Sequence, residues 1–368
     1  MPDIPRDEHG APDMKRPAWQ RARPLRGDDD NAGAASVPAG AARMRALLFD
    51  ADQDDRALDE AVIDPTSLSD RQLLWIDIEQ DAEHADDDMV ARLVQRLGLG
   101  KSAFAALRGL HDHARLQNFG GWFLAQAVVV EHEGQLKFSG RGLAIVSGHN
   151  FVLSLHRGPL AFLEQLRTRE RADTQLGVLS AESFTASLLD WQLASYFDAV
   201  TDFEAAVDRL EVAVLASKIH HECLPELAQL RRGASRLRRM LAPHRNLFSA
   251  LARPDFRPDA DGAANAHFHA LDDRFTRAMD AVENARDLVV GSFELFATRT
   301  AQRTNDTMRV LTVGTVLLGT LAVLAGVLGM NFPAPLFDSG GRGFWIAIGA
   351  MAGIVVLGLA LARWRRWL

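Results

Sequence analysis

Two uncharged, apolar runs near the C-terminal end constrain the fold more than any other feature of the chain. Neither the residues between Arg309 and Asp338 nor those between Arg342 and Arg363 carry a charge. A helix needs about 20 apolar residues to cross a bilayer core of roughly 30 Å, and each run is long enough. A buried hairpin of a soluble protein is disfavoured, because the two runs follow one another. The sequence therefore predicts two membrane helices joined by a short turn.

Arginine-rich flanks set the expected orientation of these helices. They comprise Arg299, Arg303 and Arg309 before the first helix, and Arg363, Arg365 and Arg366 after the second. Short flanks rich in arginine remain on the cytoplasmic side of a membrane. We therefore expect a multi-pass protein of an inner (plasma) membrane, with both termini in the cytoplasm and the turn outside.

Composition narrows the classes of function and partner. The net charge of −7 argues against nucleic acid as the main partner. The single cysteine, Cys223, allows no intrachain disulfide and fits a reducing compartment. The sequence contains no Walker loop, dinucleotide-binding fingerprint or nucleophile elbow. It therefore supports neither an enzyme nor an ATP-driven pump.

The chain divides into several predicted parts. Residues 1–42 are rich in Pro, Gly, Ala, Asp and Arg, and too little of their surface is apolar to offset the entropy of ordering, so a disordered tail is expected. Residues 43–175 show the short runs of an α/β domain, and residues 176–309 show helical spacing. Residues 310–368 form the predicted transmembrane domain, with spans over about 310–329 and 343–362, an external loop over 330–342 and a basic cytoplasmic tail.

The predicted α/β domain combines strand candidates with a helix. A helical pattern over residues 87–97 is followed by Gly98, a common helix stop. Gly148-His149-Asn150 separates two apolar runs and signals a hairpin. The strand candidates are residues 45–49, 73–78, 122–130, 142–146 and 151–155. We therefore expect a sheet with antiparallel pairs and helices packed on it.

The following region is expected to be helical and to end in a stalk. Pro225 marks a break between two helical runs. From about Ala266 the last run contains no proline and continues past Gly314 into the first predicted span. About 60 residues of continuous helix would reach roughly 90 Å. A stalk of that length favours a multimeric bundle.

Four short motifs carry a resemblance to a known family. Gly329-Met330-Asn331, at the end of the first predicted span, resembles the GMN signature of the CorA superfamily of divalent cation transporters. Residues 305–312 resemble that family's entry into its first span. Residues 240–245 (MLAPHR) and 251–254 (LARP) resemble the ZntB zinc-transport branch. The resemblance extends from about Met44 to the end of the chain.

The resemblance implies both an architecture and a function. It implies an α+β cytoplasmic domain, a long helical stalk and two C-terminal transmembrane helices, assembled as a funnel-shaped homopentamer whose first spans line an axial pore. Divalent cations would be transported without a cofactor, with Zn²⁺ favoured over the alternative of a CorA-type channel for Mg²⁺, Co²⁺ or Ni²⁺. A second alternative is a cytoplasmic sensor or scaffold that uses the two helices only as an anchor.

A stripe of small or mildly polar side chains recurs along the first predicted span at steps of three and four residues. The members of this stripe are Asn305, Met308, Thr312, Thr315, Gly319, Ala322 and Gly326. Small residues allow helices to approach closely, so a helix-packing face is one interpretation. The other, which the resemblance favours, is a water-filled pore. Gly319 and Thr320 stand where many relatives have a bulkier residue and a proline, so the stripe does not locate a hydrophobic gate.

Asn331 is expected to form a ring at the outer mouth of the pore. An amide carbonyl accepts hydrogen bonds without carrying charge, so the ring would hold an ion through its hydration shell. Gly329 is expected to permit a turn that a Cβ would obstruct, and Met330 is expected to pack. The spans lack the His, Cys and carboxylate ligands that zinc favours, so zinc too would pass hydrated. In the external loop Arg342 opposes Asp338, which predicts weak electrostatic focusing of cations.

Other clusters of potential metal ligands are interpreted as structural. They lie at residues 111–113, 220–223 and 267–269. Adjacent residues of a helix point about 100° apart and therefore chelate poorly. Asp86, Asp87 and Asp88 are interpreted as a solvated helix start, where negative charge favours the helix dipole.

Overall fold

The structure of the chain is a computed structural model that describes residues 43–59, 63, 65–80, 87–108, 113–132, 134, 137–170, 179–216, 223–257, 262–330 and 340–365. Several predicted features lie outside the described residues. They are the N-terminal tail, Asn331 with the loop that follows it, Arg366, Asp86, and the histidines His111, His220 and His221.

The described chain contains seven strands and eight α-helices. The strands are β1 (Arg43–Asp50), β2 (Arg56–Leu58), β3 (Gln72–Gln80), β4 (Arg115–Asn118), β5 (Phe123–His132), β6 (Phe138–Ser147) and β7 (Phe151–Arg157). The helices are α1 (Asp87–Arg96), α2 (Gly100–Arg108), α3 (Ala161–Glu170), α4 (Ala181–Leu215), α5 (Cys223–Leu241), α6 (Arg245–Leu251), α7 (Gly262–Leu328) and α8 (Gly341–Trp364).

The strands form one seven-stranded sheet in the order β2-β1-β3-β7-β6-β5-β4. Every neighbouring pair is antiparallel except β3 and β7, which are parallel. The β6–β7 hairpin follows the turn signal at Gly148-His149-Asn150. The expected sheet with antiparallel pairs is therefore present, with one parallel pair at its centre that the local sequence pattern did not indicate.

Alternate side chains of β3 enter two separate cores, one on each face of the sheet. Leu73 and Trp75 belong to the core formed with helices α3 to α7. Leu74, Ile76 and Ile78 belong to the core formed with α1 and α2. Because successive strand residues point to opposite faces, a nearly continuous apolar run is what a strand covered on both faces requires.

Local signals explain where several helices begin and end. After α1, Gly98 adopts a positive φ of 66°. The Leu99 N–H donates to the Val94 carbonyl at 3.1 Å and the Gly98 N–H donates to the Gln95 carbonyl at 3.2 Å. These two bonds form a Schellman cap, which closes the helix at the predicted stop. Pro225 lies in the first turn of α5, where its missing N–H costs no intrahelical bond, so the predicted break is a helix start.

Helix α7 spans 67 residues without interruption. At 1.5 Å per residue its length is about 100 Å, so it continues from the α+β domain into the first apolar run as the sequence predicted. Its buried side chains lie between Ala264 and Ser292. The described chain thus has the predicted α+β domain, a long helix and a C-terminal apolar helix.

The outer edge of β5 is covered by side chains rather than by another strand. Beyond Gln126, which pairs with Arg115, β4 provides no partner. The Val128 N–H donates to Nε2 of His244 at 2.9 Å, and the Val128 carbonyl accepts from Nε2 of Gln192 at 2.5 Å. Buried backbone groups need such partners, so His244 and Gln192 replace the missing strand.

His244 must be neutral to fill this role. Its Nδ1–H donates to the Leu241 carbonyl at 3.1 Å, which leaves Nε2 as the acceptor for Val128. Burial lowers the pKa of His244 to about 4, even though backbone carbonyls favour the protonated form. Residues 240–245, which resemble the zinc branch, thus have a structural function at the sheet edge.

This geometry predicts how stability depends on pH. The unfolded chain takes up a proton at the ordinary histidine pKa near 6.5, whereas folded His244 resists protonation down to about 4. The contribution is complete above pH 6.5 and is lost as the pH falls towards 4, by roughly 3 kcal/mol in all. We expect His244→Gln to flatten this part of the pH profile of thermal unfolding, measured by tryptophan fluorescence in detergent. An unchanged profile would contradict the assignment.

A second buried polar network crosses the parallel pair of β3 and β7. Trp75 donates its indole N–H to Oγ of Ser154 at 3.0 Å, and Ser154 donates to Asp77. Nε2 of His156 lies 3.3 Å from Oδ1 of Asp77 and Nδ1 lies 2.6 Å from the Gly158 carbonyl. Burial by itself lowers the pKa of His156, but the hydrogen bond and charge of Asp77, the Gly158 carbonyl and the charge of Glu79 together raise it above the ordinary value.

We expect Asp77→Asn to lower the free energy of unfolding by about 3 kcal/mol, because it removes one partner of a buried ion pair. Its matched control is Asp52→Asn. Asp52 pairs with Arg71 at 2.9 Å with both side chains more than half exposed, so this change should cost less than about 1 kcal/mol. Equal losses in chemical denaturation would show that the Asp77 pair does not stabilise the sheet.

Candidate ion pathway

Within the described chain, α7 and α8 are long and apolar enough to cross a membrane, as judged by length and composition. Their apolar windows are not buried in the single chain. Leaving so much apolar surface in water is unfavourable, so these segments require lipid or further protein around them. The structure therefore supplies two candidate spans where the sequence predicted two.

The two candidate spans contact one another through larger apolar side chains of α7 and mostly small residues of α8. On α7, the half-buried side chains in this region are Val313, Leu317, Leu321, Leu324 and Leu328. On α8, the buried or half-buried positions are Gly343, Ala347, Met351, Ile354, Val355, Gly358 and Ala362. A Cβ at Gly358 would overlap the side chain of Leu317. The small residues of α8 thus let the helices approach, a packing face that the four-residue spacing could have revealed.

The stripe that runs from Asn305 to Gly326 lies on the opposite side of α7. All of its members are exposed in the single chain. At about 100° per residue, the stripe is centred roughly 180° from the α7 residues that face α8. Packing between α7 and α8 therefore does not use the stripe, which is left free to face something else.

The hydroxyl groups of the stripe are held by the helix itself. Oγ1 of Thr312 donates to the Met308 carbonyl at 2.8 Å, and Oγ1 of Thr315 donates to the Leu311 carbonyl at 2.8 Å. Each hydroxyl oxygen keeps its lone pairs for an outside donor. A surface of this kind, uncharged and weakly polar, accepts hydrogen bonds from water and offers no ligand set for a bare transition metal.

The end of α7 shows part of the predicted tripeptide. The Gly329 N–H donates to the Ala325 carbonyl at 2.9 Å, and the Met330 N–H donates to the Val327 carbonyl at 3.2 Å. A Cβ on Gly329 would lie 3.3 Å from the Ala325 oxygen, which is a tight contact. Gly329 is not among the described glycines with positive φ, so crowding rather than a left-handed turn favours glycine here. The Met330 side chain is half-exposed, and Asn331 lies outside the described residues.

The predicted basic flanks lie before the first candidate span and at the end of the second. Arg299, Arg303 and Arg309 are exposed on α7, and Nη1 of Arg309 lies 3.5 Å from Oδ1 of Asp306. Arg363 ends the last turn of α8 and is exposed.

The described residues contain no group of three or more His, Cys, Asp or Glu side chains arranged to hold a metal ion. Nδ1 of His267 lies 3.2 Å from Oγ of Ser183, a contact between α7 and α4 that fits the structural interpretation of residues 267–269. Cys223 is buried and free at the start of α5. The described residues therefore provide no cage of side-chain ligands that could select a metal ion.

Comparison with known proteins relates this fold to transporters. The family model described as CorA-like Mg2+ transporter protein matches residues 70–363. The cobalt/magnesium transport protein CorA of Thermotoga maritima is 23% identical over 285 residues, which cover 76% of this chain and 80% of that protein.

Two solved structures extend the comparison. The complete structure of the CorA magnesium transporter from Methanocaldococcus jannaschii has a TM-score of 0.67 at 20% identity and covers 88% of this chain and 98% of that one. The ZntB cytoplasmic domain from Vibrio parahaemolyticus has a TM-score of 0.54 at 9% identity and covers 70% of this chain and 99% of that one. The fold is thus similar both to CorA and to the ZntB cytoplasmic domain.

CorA proteins are ion transporters of the inner membrane rather than enzymes, and they transport divalent cations such as Mg²⁺ and Co²⁺ without a cofactor. The family model covers most of this chain, including both candidate spans. The chain therefore belongs to the CorA family of divalent cation transporters.

Proposed function

We propose that the chain assembles as a homopentamer in which the α7 spans surround an axial pore and the α8 spans lie outside them. The observation that supports this arrangement is the position of the stripe, which lies on the face of α7 directed away from α8. A single hairpin cannot enclose a pore, so several copies around an axis are required. Both termini lie in the cytoplasm in this proposal. The arginines that precede the first span and follow the second agree with this orientation.

The stripe carries divalent cations with their water shell in place. Hydroxyl and amide groups accept hydrogen bonds from coordinated water, whereas Mg²⁺ sheds that water reluctantly. The spans contain no His, Cys or carboxylate that could replace the shell. Discrimination therefore depends on charge and hydrated size rather than on ligand softness.

The selectivity element in this proposal is a ring of Asn331 side chains at the outer mouth. Five amide carbonyls around an axis would contact the water shell of one ion without neutralising its charge. Gly329 and Met330 end the first span and position that ring. The crowding of Gly329 against the Ala325 carbonyl is the described contact that supports a glycine at this point.

Zinc is the ion that we propose for this chain, together with broad tolerance of Co²⁺ and Ni²⁺. Its support is the resemblance of residues 240–254 to the zinc branch and the nearly acid-free external loop. Magnesium is the second candidate, and the relative from Thermotoga maritima, named as a cobalt/magnesium transport protein, favours it. Since His244 serves the sheet edge whichever ion passes, transport assays must decide between them.

One test of this proposal concerns the ring. We expect Asn331→Ala to reduce cation uptake into proteoliposomes at least tenfold without changing assembly, because alanine offers no acceptor for the water shell. Gln302→Ala is the control, since Gln302 is an exposed amide on α7 outside the stripe. A correctly assembled Asn331→Ala protein that transports at the normal rate would show that the ring does not select the ion.

Another test concerns the ion. Zn²⁺ and Mg²⁺ uptake are measured side by side in sealed liposomes, and zinc flux is expected to be blocked by cobalt hexaammine, which mimics a hydrated ion that keeps its shell. Zinc flux should survive the replacement of His220, His221 and Cys223 together, because no permeation ligand is assigned there. Robust Mg²⁺ flux without Zn²⁺ flux would leave a magnesium channel. The absence of any flux would favour the membrane-anchored sensor or scaffold.

A further inference from the structure

A basic cavity lies between α5 and α7 in the cytoplasmic part of the chain. It has a volume of about 490 Å³ and is lined by Ser235, Arg238, Arg239, Ala242, Pro243 and Arg286. Three of these six residues are arginines, although the whole chain has a net charge of −7. The cavity therefore concentrates positive charge in a protein that is acidic overall.

Two of the three arginines in this cavity are available to a ligand. Within the described residues, Arg239 and Arg286 form no ion pair, and both are exposed. Arg238 has its Nε 3.5 Å from Oε1 of Glu283, with both side chains about half exposed. An exposed pair of this kind contributes at most about 1 kcal/mol, so Arg238 can exchange Glu283 for another anion.

Helix capping accounts for only part of this arrangement. Basic residues in the last turn of a helix favour its dipole, which explains Arg238 and Arg239 at the end of α5. Arg286 lies in the interior of α7, far from either end, so the dipole gives no reason for it. Its position opposite the end of α5 brings guanidinium groups from two helices to one cavity.

We propose that this cavity binds a soluble anion that carries a diphosphate group. Guanidinium groups bind phosphate oxygens through paired, charge-assisted hydrogen bonds, and three of them with the Ser235 hydroxyl exceed what one carboxylate needs. The volume also accommodates more than a single phosphate. The bound anion joins α5 to α7, the helix that continues into the first span.

A lipid headgroup does not fit this position. Arg286 precedes Val310, the start of the first apolar run, by enough residues of continuous helix to place it about 36 Å from the membrane along α7. That distance is several times the Debye length of about 8 Å at physiological ionic strength. The ligand is therefore a free cytoplasmic anion.

Titration calorimetry of the purified full-length protein in detergent tests the proposal, with inorganic pyrophosphate as the probe in buffer free of divalent cations. We expect saturable binding that Arg286→Gln weakens about tenfold, since it removes a hydrogen bond to a charged group. Glu283→Gln should instead tighten binding, because it frees Arg238 from its carboxylate. Misfolding would weaken pyrophosphate binding in both variants. Opposite changes in affinity at Arg286 and Glu283, two exposed positions of α7, therefore indicate a binding site.

The control is Arg231→Gln, an exposed arginine of α5 outside the cavity, two helical turns or about 10 Å from Arg238. It should leave pyrophosphate binding unchanged. The proposal is overturned if pyrophosphate gives no saturable binding or if Arg231→Gln weakens it as much as Arg286→Gln does. Chloride that competes as well as pyrophosphate at equal concentration would overturn the assignment to a diphosphate ligand.

Discussion

The continuity of α7 is the constraint on which the rest of the structure depends. Between Ala264 and Ser292 one face of this helix is buried against α4, α5 and α6. Beyond Ser292 the same helix has no buried residue in the single chain and continues through the first apolar run to Leu328. A rigid rod fixed at one end by a hydrophobic core transmits its orientation to the other end. The core of the α+β domain therefore determines how the stripe is presented in the membrane.

Strand β5 is joined to the helical part that holds α7, because side chains from that part form hydrogen bonds with its backbone. Helix α4 packs against both β5 and α7, and its Gln192 fills one of the hydrogen bonds that a further strand would have made. His244 fills another from the segment after α5. Losing His244 would leave the buried N–H of Val128 without a partner, which costs about 1–3 kcal/mol, whereas the Val128 carbonyl also accepts from Oη of Tyr196 at 3.2 Å. His244 therefore contributes to the architecture of the domain whichever ion is transported.

The elements with long or strongly periodic sequence patterns could be predicted from the sequence. This group comprises the two apolar runs, the long helix α7 and the strands β1, β3, β5, β6 and β7. The edge strands β2 and β4 were missed, because three or four mostly polar residues carry no period. The parallel β3–β7 pair joins segments far apart in the chain, which no local pattern reveals.

The same division holds for the candidate sites. The stripe was predictable because its members share one helix, and the structure adds that it faces away from α8. The role of Asn331 stays a prediction, since that residue lies outside the described part of the chain. The basic cavity could not be predicted, because Arg239 and Arg286 lie on different helices and meet only through the packing of α5 on α7.

The central claim is that the stripe on α7 faces the ion pathway, and thiol accessibility tests it most directly. Cys223 is the single cysteine and is buried, so a cysteine placed in the spans can be labelled selectively. Thr315→Cys lies on the stripe, and Leu317→Cys lies on the side that faces α8. After reconstitution, a charged water-soluble thiol reagent should block cation uptake through the Thr315→Cys protein and leave the Leu317→Cys protein unaffected. Block at Leu317→Cys without block at Thr315→Cys would contradict the account.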